Sequence, residues 1–219
     1  MVYLLHGAYG DNSSWVRFSN IERYAQAHNI VAVMASVENS LYQDMVHGNK
    51  YFTFISEELP SFITTLFPVS KKREDTYICG FSMGGYGACS SVCPAPRSMA
   101  RSQACLLPWI SPGCRTKCRR ATSKHRSPST TSLRIRLIWL AATRISLSCI
   151  AAMQKRAVWP ELYQACGTKD FLYQMNEDAN RRLTEMGAKI TYSVAPDAMH
   201  NWDYWDSELP KILDWMMQK

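Results

Sequence analysis

Asp75-Thr-Tyr-Ile-Cys-Gly-Phe-Ser-Met-Gly-Gly-Tyr-Gly87 is the stretch on which the reading of this chain turns. A short apolar run, Tyr77 to Cys79, leads into Gly80-Phe-Ser-Met-Gly84, a G-x-S-x-G match, with Gly85 and Gly87 just beyond. In a nucleophile elbow a strand turns sharply into a helix and leaves the central Ser strained, with its hydroxyl exposed. Glycines suit the flanks because the backbones come too close there for a Cβ. Five residues alone are a weak signal: a Gly-rich turn carrying a solvated Ser reads the same way. The strand-like run before the match and the small residues after it favour the elbow, with Ser82 as nucleophile.

Towards the N-terminus, Val2-Tyr-Leu-Leu5 predicts a strand running into His6-Gly-Ala-Tyr-Gly10. Such a loop either sets backbone N–H groups above a sheet or is simply a tight turn. Trp15 to Ala27 has helical apolar spacing, and Ile30 to Ala35 reads as a buried strand. Tyr51 to Phe67 predicts a helix bent at Pro60. Towards the C-terminus, Leu162 to Cys166 predicts a strand ending in Gly167-Thr-Lys-Asp170. Phe171 to Met186 predicts a helix with Leu172, Met175, Ala179 and Leu183 on one stripe and Gly187 as its stop. Lys189 to Val194 alternates as a strand, His200 lies in the loop Pro196 to Asn201, and Tyr204 to Met217 is a terminal helix. Strands alternating with helices predict an α/β fold with a mostly parallel sheet and working residues at the strands' carboxyl ends.

At 219 residues, 47% of them hydrophobic, the chain is expected to be one domain with a large core. It has no run of 18 uncharged apolar residues and no signal-peptide pattern, so a cytoplasmic protein with no membrane partner is expected. Eight cysteines in a chain of this size read as reduced thiols. The net charge of +7 is concentrated: residues 91–160 hold 13 Lys and Arg and no acidic residue, and the remainder carries a net −6. A nucleic-acid partner argued from the overall pI is therefore misplaced, and none is expected.

A Ser hydroxyl needs a base to take its proton, and the base needs a third group to orient it. Asp170 stands just past one late strand and His200 just past the next. Of the five histidines, His200 alone has that position. The order Ser…Asp…His is that of α/β-hydrolases rather than of the chymotrypsin or subtilisin folds. Ser82 is expected to attack an acyl carbonyl, with His200 as base and then acid, and Asp170 fixing the imidazole tautomer. The N–H of Met83 and a second from the early loop, best supplied by Ala8, would hold the oxyanion. Asp170 also precedes a helix, so a role as its cap competes with the catalytic one.

His6-Gly-Ala-Tyr-Gly-Asp-Asn-Ser-Ser-Trp15, Cys79-Gly-Phe-Ser-Met-Gly-Gly-Tyr-Gly87, Gly167-Thr-Lys-Asp-Phe-Leu172 and His200-Asn-Trp-Asp-Tyr-Trp205 together resemble the esterase D-like α/β-hydrolases. The nearest likeness is to bacterial tributyrin esterases, with S-formylglutathione hydrolases, acetylxylan and feruloyl esterases and mycolyltransferases as wider relatives. The resemblance covers roughly residues 1–88 and 161–217. It implies a serine carboxylesterase that cleaves short-chain acyl esters with the triad Ser82, Asp170 and His200, with no metal or cofactor. Trp15, Tyr42 and Trp202 are candidates to line the acyl or alcohol pocket, although such aromatics more often belong to the core. An acyltransferase on the same triad is the alternative within enzymes. An inactive relic or a binding protein with an anion-contacting basic segment is the alternative outside them. Assembly into a homo-oligomer is left open.

Two departures from the family stand out. Members usually carry strands ahead of the His-Gly loop, so the N-terminus reads as truncated. The middle, 89–158, has foreign composition at ordinary length, which is what a compensated frameshift between about Cys89 and Val158 would produce. A disordered tract or a basic lid insertion is the competing account. Within it only Leu133 to Ile150 has enough aliphatic residues for an element. The segment holds six of the eight cysteines, including Cys89-x3-Cys93 and Cys114-x3-Cys118. That spacing is marginal for zinc, and chance cysteines explain it more simply.

Overall fold

Strand β1 (Val2–Leu5) is flanked by β2 (Ala32–Met34) and β3 (Tyr77–Phe81), and β4 (Ala104–Leu107), β5 (Leu162–Gly167) and β6 (Ile190–Ala195) follow outward from β3. Every neighbouring pair is parallel, in the order β2-β1-β3-β4-β5-β6. This computed structural model describes residues 1–92, 104–107 and 161–218.

Both faces of the sheet are covered, which is why β1 and β3 are buried at every position instead of alternating with polar residues. Tyr3, Leu5 and Ile78 point to one face. They pack there with the first turns of α5 (Met83–Val92), with α4 (Leu59–Leu66) and with α6 (Tyr173–Glu185). Val2, Leu4, Cys79 and Phe81 point to the other. There they meet α1 (Ser14–Phe18), α2 (Ile21–Ala27) and the long C-terminal α7 (Trp202–Met217). That last helix buries Trp205, Leu209, Ile212, Leu213 and Met216 along one stripe. Glu208 shares this buried face and accepts from Tyr163 Oη at 2.7 Å and Lys211 Nζ at 2.8 Å, which ties α7 to β5. Among the described residues no helix is long and apolar enough to cross a membrane.

Several expected elements are corrected. The single helix over Trp15 to Ala27 is two, broken at Ser19 and Asn20. Ser19 turns its hydroxyl onto Trp15 O at 2.6 Å, and Asn20 bonds Asp206 of α7 through both its backbone N–H and its side-chain amide, each at 2.7 Å. The helix over Tyr51 to Phe67 is α3 (Tyr51–Thr53), a π-helical turn (Phe54–Glu58) and α4 in succession. Pro60 explains the π turn, because it has no N–H for Ser56 and its ring crowds that carbonyl. Strand β4 lies within 89–158, where only Leu133 to Ile150 is expected to form an element. The element expected over Leu133 to Ile150 and most of the proposed frameshift segment lie outside the described residues.

His28, at the end of α2, joins that helix to α7. Its Nδ1 donates to Tyr24 O at 2.8 Å and its Nε2 to Asp214 Oδ1 at 2.9 Å, an arrangement that suits the doubly protonated ring. The Asp214 carboxylate, and after it the Tyr24 carbonyl, raise this histidine above its ordinary value of about 6.5. A raised folded-state value contributes stability that is complete below about pH 6.5 and is lost as pH climbs through the raised value. His28→Gln is therefore expected to lower the melting temperature most on the acid side. A pH series of melts on both proteins checks whether the gap closes as pH rises.

Candidate active site

Ser82 sits between the last residue of β3 and the first of α5, with φ at +54°. For a residue bearing a Cβ this left-handed geometry costs roughly 1–2 kcal/mol. Close packing holds it there. A Cβ on Gly80 would stand 2.3 Å from the Gly84 carbonyl, and one on Gly84 would stand 2.3 Å from Leu5 O. The two glycines thus let the first turn of α5 press onto the end of β1. Met83 opens α5, and its N–H is one of the four helix-start amides that have no intrahelical acceptor. The positive end of the helix dipole adds to what that amide offers a developing anion.

Across the switch point between β1 and β3, the loop after β1 folds into a turn closed by Gly10 N–H donating to Gly7 O at 3.2 Å. Its third residue, Tyr9, has φ at +63° and gives its own N–H to Asn39 Oδ1 at 2.7 Å. That leaves Ala8 as the candidate donor of the turn. His6 fixes which way the Ala8 amide faces. Val37 N–H donates to His6 Nε2 at 3.1 Å, so the ring proton must be on Nδ1, which donates to Gly7 O at 2.7 Å. Carbonyl and N–H of a trans peptide point in opposite directions, so securing Gly7 O also orients Ala8 N–H. Burial pushes the His6 pKa down and keeps the ring neutral, outweighing the Gly7 carbonyl and Asp11. His6 therefore supports the loop directly.

Asp170 and His200 ride on two loops laced together beyond β5 and β6. Thr168 N–H donates to Ala195 O and Lys169 N–H to Ala198 O, each at 3.0 Å, and Asp197 N–H donates to Thr168 Oγ1 at 2.8 Å. Gly167 permits this closeness: a Cβ there would lie 2.2 Å from Ala198 O. The Asp170 side chain is fully buried and uses both oxygens. Oδ1 accepts Leu172 N–H at 2.8 Å and Oδ2 accepts His200 Nδ1 at 2.8 Å. The expected role of Asp170 as a helix cap is corrected: Leu172 holds the cap position of α6, and the Asp170 carboxylate instead joins Leu172 N–H in its own turn to the His200 ring. Asn201 caps α7 by accepting Tyr204 N–H at 3.2 Å, which fixes the chain one residue after His200.

Aromatic rings connect the two halves of the site. Phe81, next to Ser82, stacks on Trp205 with centroids 4.1 Å apart, and Trp205 meets the His200 ring edge-on at 5.0 Å. Phe171, 76% exposed, covers another side of His200 at 4.7 Å. Trp202 is half-buried between Phe18 and Phe81 and keeps its place as a candidate for lining the pocket. Trp15 and Tyr42 do not. Both are 0% exposed, with Trp15 Nε1 donating to Leu5 O at 3.2 Å and Tyr42 Oη to His6 O at 2.9 Å. They support the walls from within the core. The sequence reading overlooked Asn39, Phe171 and Trp205 as neighbours of the site. For Trp205 and Phe171, adjacency to the His200 and Asp170 motifs was the available signal.

Among the described residues no cluster of three or more His, Cys, Asp or Glu is placed to hold a metal, and Cys79, Cys89 and Cys166 are buried free thiols. The other cysteines weighed for zinc, Cys93, Cys114 and Cys118, lie outside the described residues.

The family described as "Putative esterase" matches residues 1–109, beyond the point at which the motif likeness stopped. An acetyl esterase of Caldicellulosiruptor saccharolyticus is 29% identical over 220 residues, spanning 98% of this chain and 82% of that protein. Two solved structures from Staphylococcus aureus superpose closely. The fluorophosphonate-binding serine hydrolase FphF does so with TM-score 0.80 at 27% identity, over 100% of this chain and 83% of its own. The S-formylglutathione hydrolase FrmB does so with TM-score 0.79 at 28% identity, over 99% and 83%.

Proposed function

We infer that this chain belongs to the esterase D-like family of α/β-hydrolases, and from that premise we propose that this carboxylic ester hydrolase cleaves short-chain acyl esters through an acyl-serine intermediate on Ser82. Ser82 Oγ attacks the acyl carbonyl carbon while His200 Nε2 takes the hydroxyl proton. The carbonyl oxygen becomes an anion held by the N–H groups of Met83 and Ala8. Collapse expels the alcohol, which leaves with the proton from His200, and the acyl group stays on Ser82. Water then attacks the acyl-serine, giving its proton to His200. The carboxylic acid departs as Ser82 Oγ regains that proton. Asp170 holds the ring so that Nε2 is the nitrogen that exchanges protons, and it stabilises the imidazolium formed in each half.

The observation that carries this reading is the fully buried Asp170 carboxylate bonded to His200 Nδ1 at 2.8 Å, on a sheet whose edge also bears a serine with φ at +54°. The acetyl specificity in the name of the curated relative supports a small acyl group. Treating the purified chain with a fluorophosphonate is expected to add one adduct per chain, located by peptide mapping at Ser82. An ester panel is expected to turn over fastest with acetyl and propionyl groups. No adduct would sink the mechanism, whereas an adduct with a preference for long acyl chains would sink only the substrate class.

A further inference from the structure

We propose that Asn39 is a positioning residue of the oxyanion turn, holding its apex where the Ala8 amide meets the developing charge; this rests on the reading of Ala8 as an oxyanion donor. The segment after β2 grips the loop after β1 at several points. Ser36 Oγ accepts Asn12 N–H and donates to Asn12 Oδ1, both at 2.9 Å, on the far side of the loop. Val37 N–H and Tyr42 Oη hold the ring and the carbonyl of His6 at its base. Asn39 alone among these reaches the apex, taking Tyr9 N–H at 2.7 Å.

Both partners are built with strain. Tyr9 is left-handed, and in the gripping segment Glu38, Leu41 and Tyr42 have φ of +52°, +54° and +56°. Such residues persist where surrounding contacts over-determine them, and they gather where a site is pre-organised. His6 sets the direction of the Ala8 amide, and Asn39 sets the position of the turn that carries it. Without that bond Tyr9 can relax towards negative φ and the apex can shift. A donor displaced by about 1 Å serves the ground state nearly as well and the transition state much less. Asn39 is exposed, so replacing it leaves no cavity.

The test compares wild type with Asn39→Leu, which has no acceptor, and Asn39→Asp, which keeps one. At this exposed position the aspartate charge is screened by solvent. Asn39→Leu is expected to lower kcat on a chromogenic acetyl ester about tenfold, with KM within about twofold. Its affinity for an alkyl boronate, which forms a tetrahedral anion on the serine, should fall by the same factor. Asn39→Asp is expected to stay within about threefold of wild type in both. The proposal is overturned if Asn39→Leu keeps wild-type kcat and boronate affinity, if its loss falls on KM alone, or if Asn39→Asp loses as much. Wild type that forms no boronate or fluorophosphonate adduct would instead overturn the reading of the site, and this proposal with it.

Discussion

Ser82→Gly is expected to do two opposite things: to abolish ester hydrolysis, with a loss of about 10⁶-fold in kcat, and to make the protein more stable. The first follows from removing the nucleophile. The second follows from the backbone. At φ +54° a Cβ costs roughly 1–2 kcal/mol, which glycine avoids, less roughly 0.5–1 kcal/mol for the extra freedom glycine loses on folding. The net gain is about 1 kcal/mol, or about 2–4 °C in melting temperature for a domain of this size. Ser82→Ala should lose activity equally and gain nothing, because it keeps the Cβ. The pair separates chemistry from strain, with calorimetry and a chromogenic ester as readouts. Equal melting temperatures for the two variants would show that the elbow is not strained in solution.

Asp170→Asn is expected to reduce kcat by about 10⁴-fold while KM and the melting temperature change little. Both carboxylate oxygens are acceptors, one for Leu172 N–H and one for His200 Nδ1–H. An asparagine has one oxygen and one NH₂. If the oxygen keeps Leu172, the amide hydrogens face His200 Nδ1, which must then become an acceptor. The ring proton moves to Nε2, the atom that has to take the Ser82 proton. The volume of the side chain is unchanged, so the loss is one of tautomer rather than of packing. A loss below tenfold would mean that another group sets the ring's protonation.

The places of Ser82, Asp170 and His200 just beyond β3, β5 and β6 were legible because local rules fix them. Gly80 and Gly84 have to be glycine where a Cβ would strike backbone, and that requirement is written in the sequence at fixed spacing. Asp170 and His200 follow strands whose alternation and flanking turns are local too. The features that escaped depend on residues far away in the chain. Asn39 earns its role from Tyr9, thirty residues earlier. The break after α1 is made by Asp206 on the last helix, and the apolar period runs through it because Trp15 and Ile21 enter the same core. Strand β4 is four residues defined by its parallel neighbours, and no period can be read from so short a run. Trp15 closes the motif that begins at His6 and Tyr42 lies in the segment after β2, but the fold turns both inward, where large rings bury the most surface.

Strand β4 also determines how well the two working halves can be gauged against each other. Within the sheet, β2, β1 and β3 carry the serine and the oxyanion turn, while β5 and β6 carry Asp170 and His200. Ala104–Leu107 is the one strand between them. It acts as a spacer with ruled divisions, since each residue along a strand is about 3.3 Å. Sliding it by two residues against either neighbour would carry Ser82 and His200 about 6.6 Å out of step. Substitutions that keep β4 apolar can therefore leave the fold intact and still detune the chemistry at its far edge.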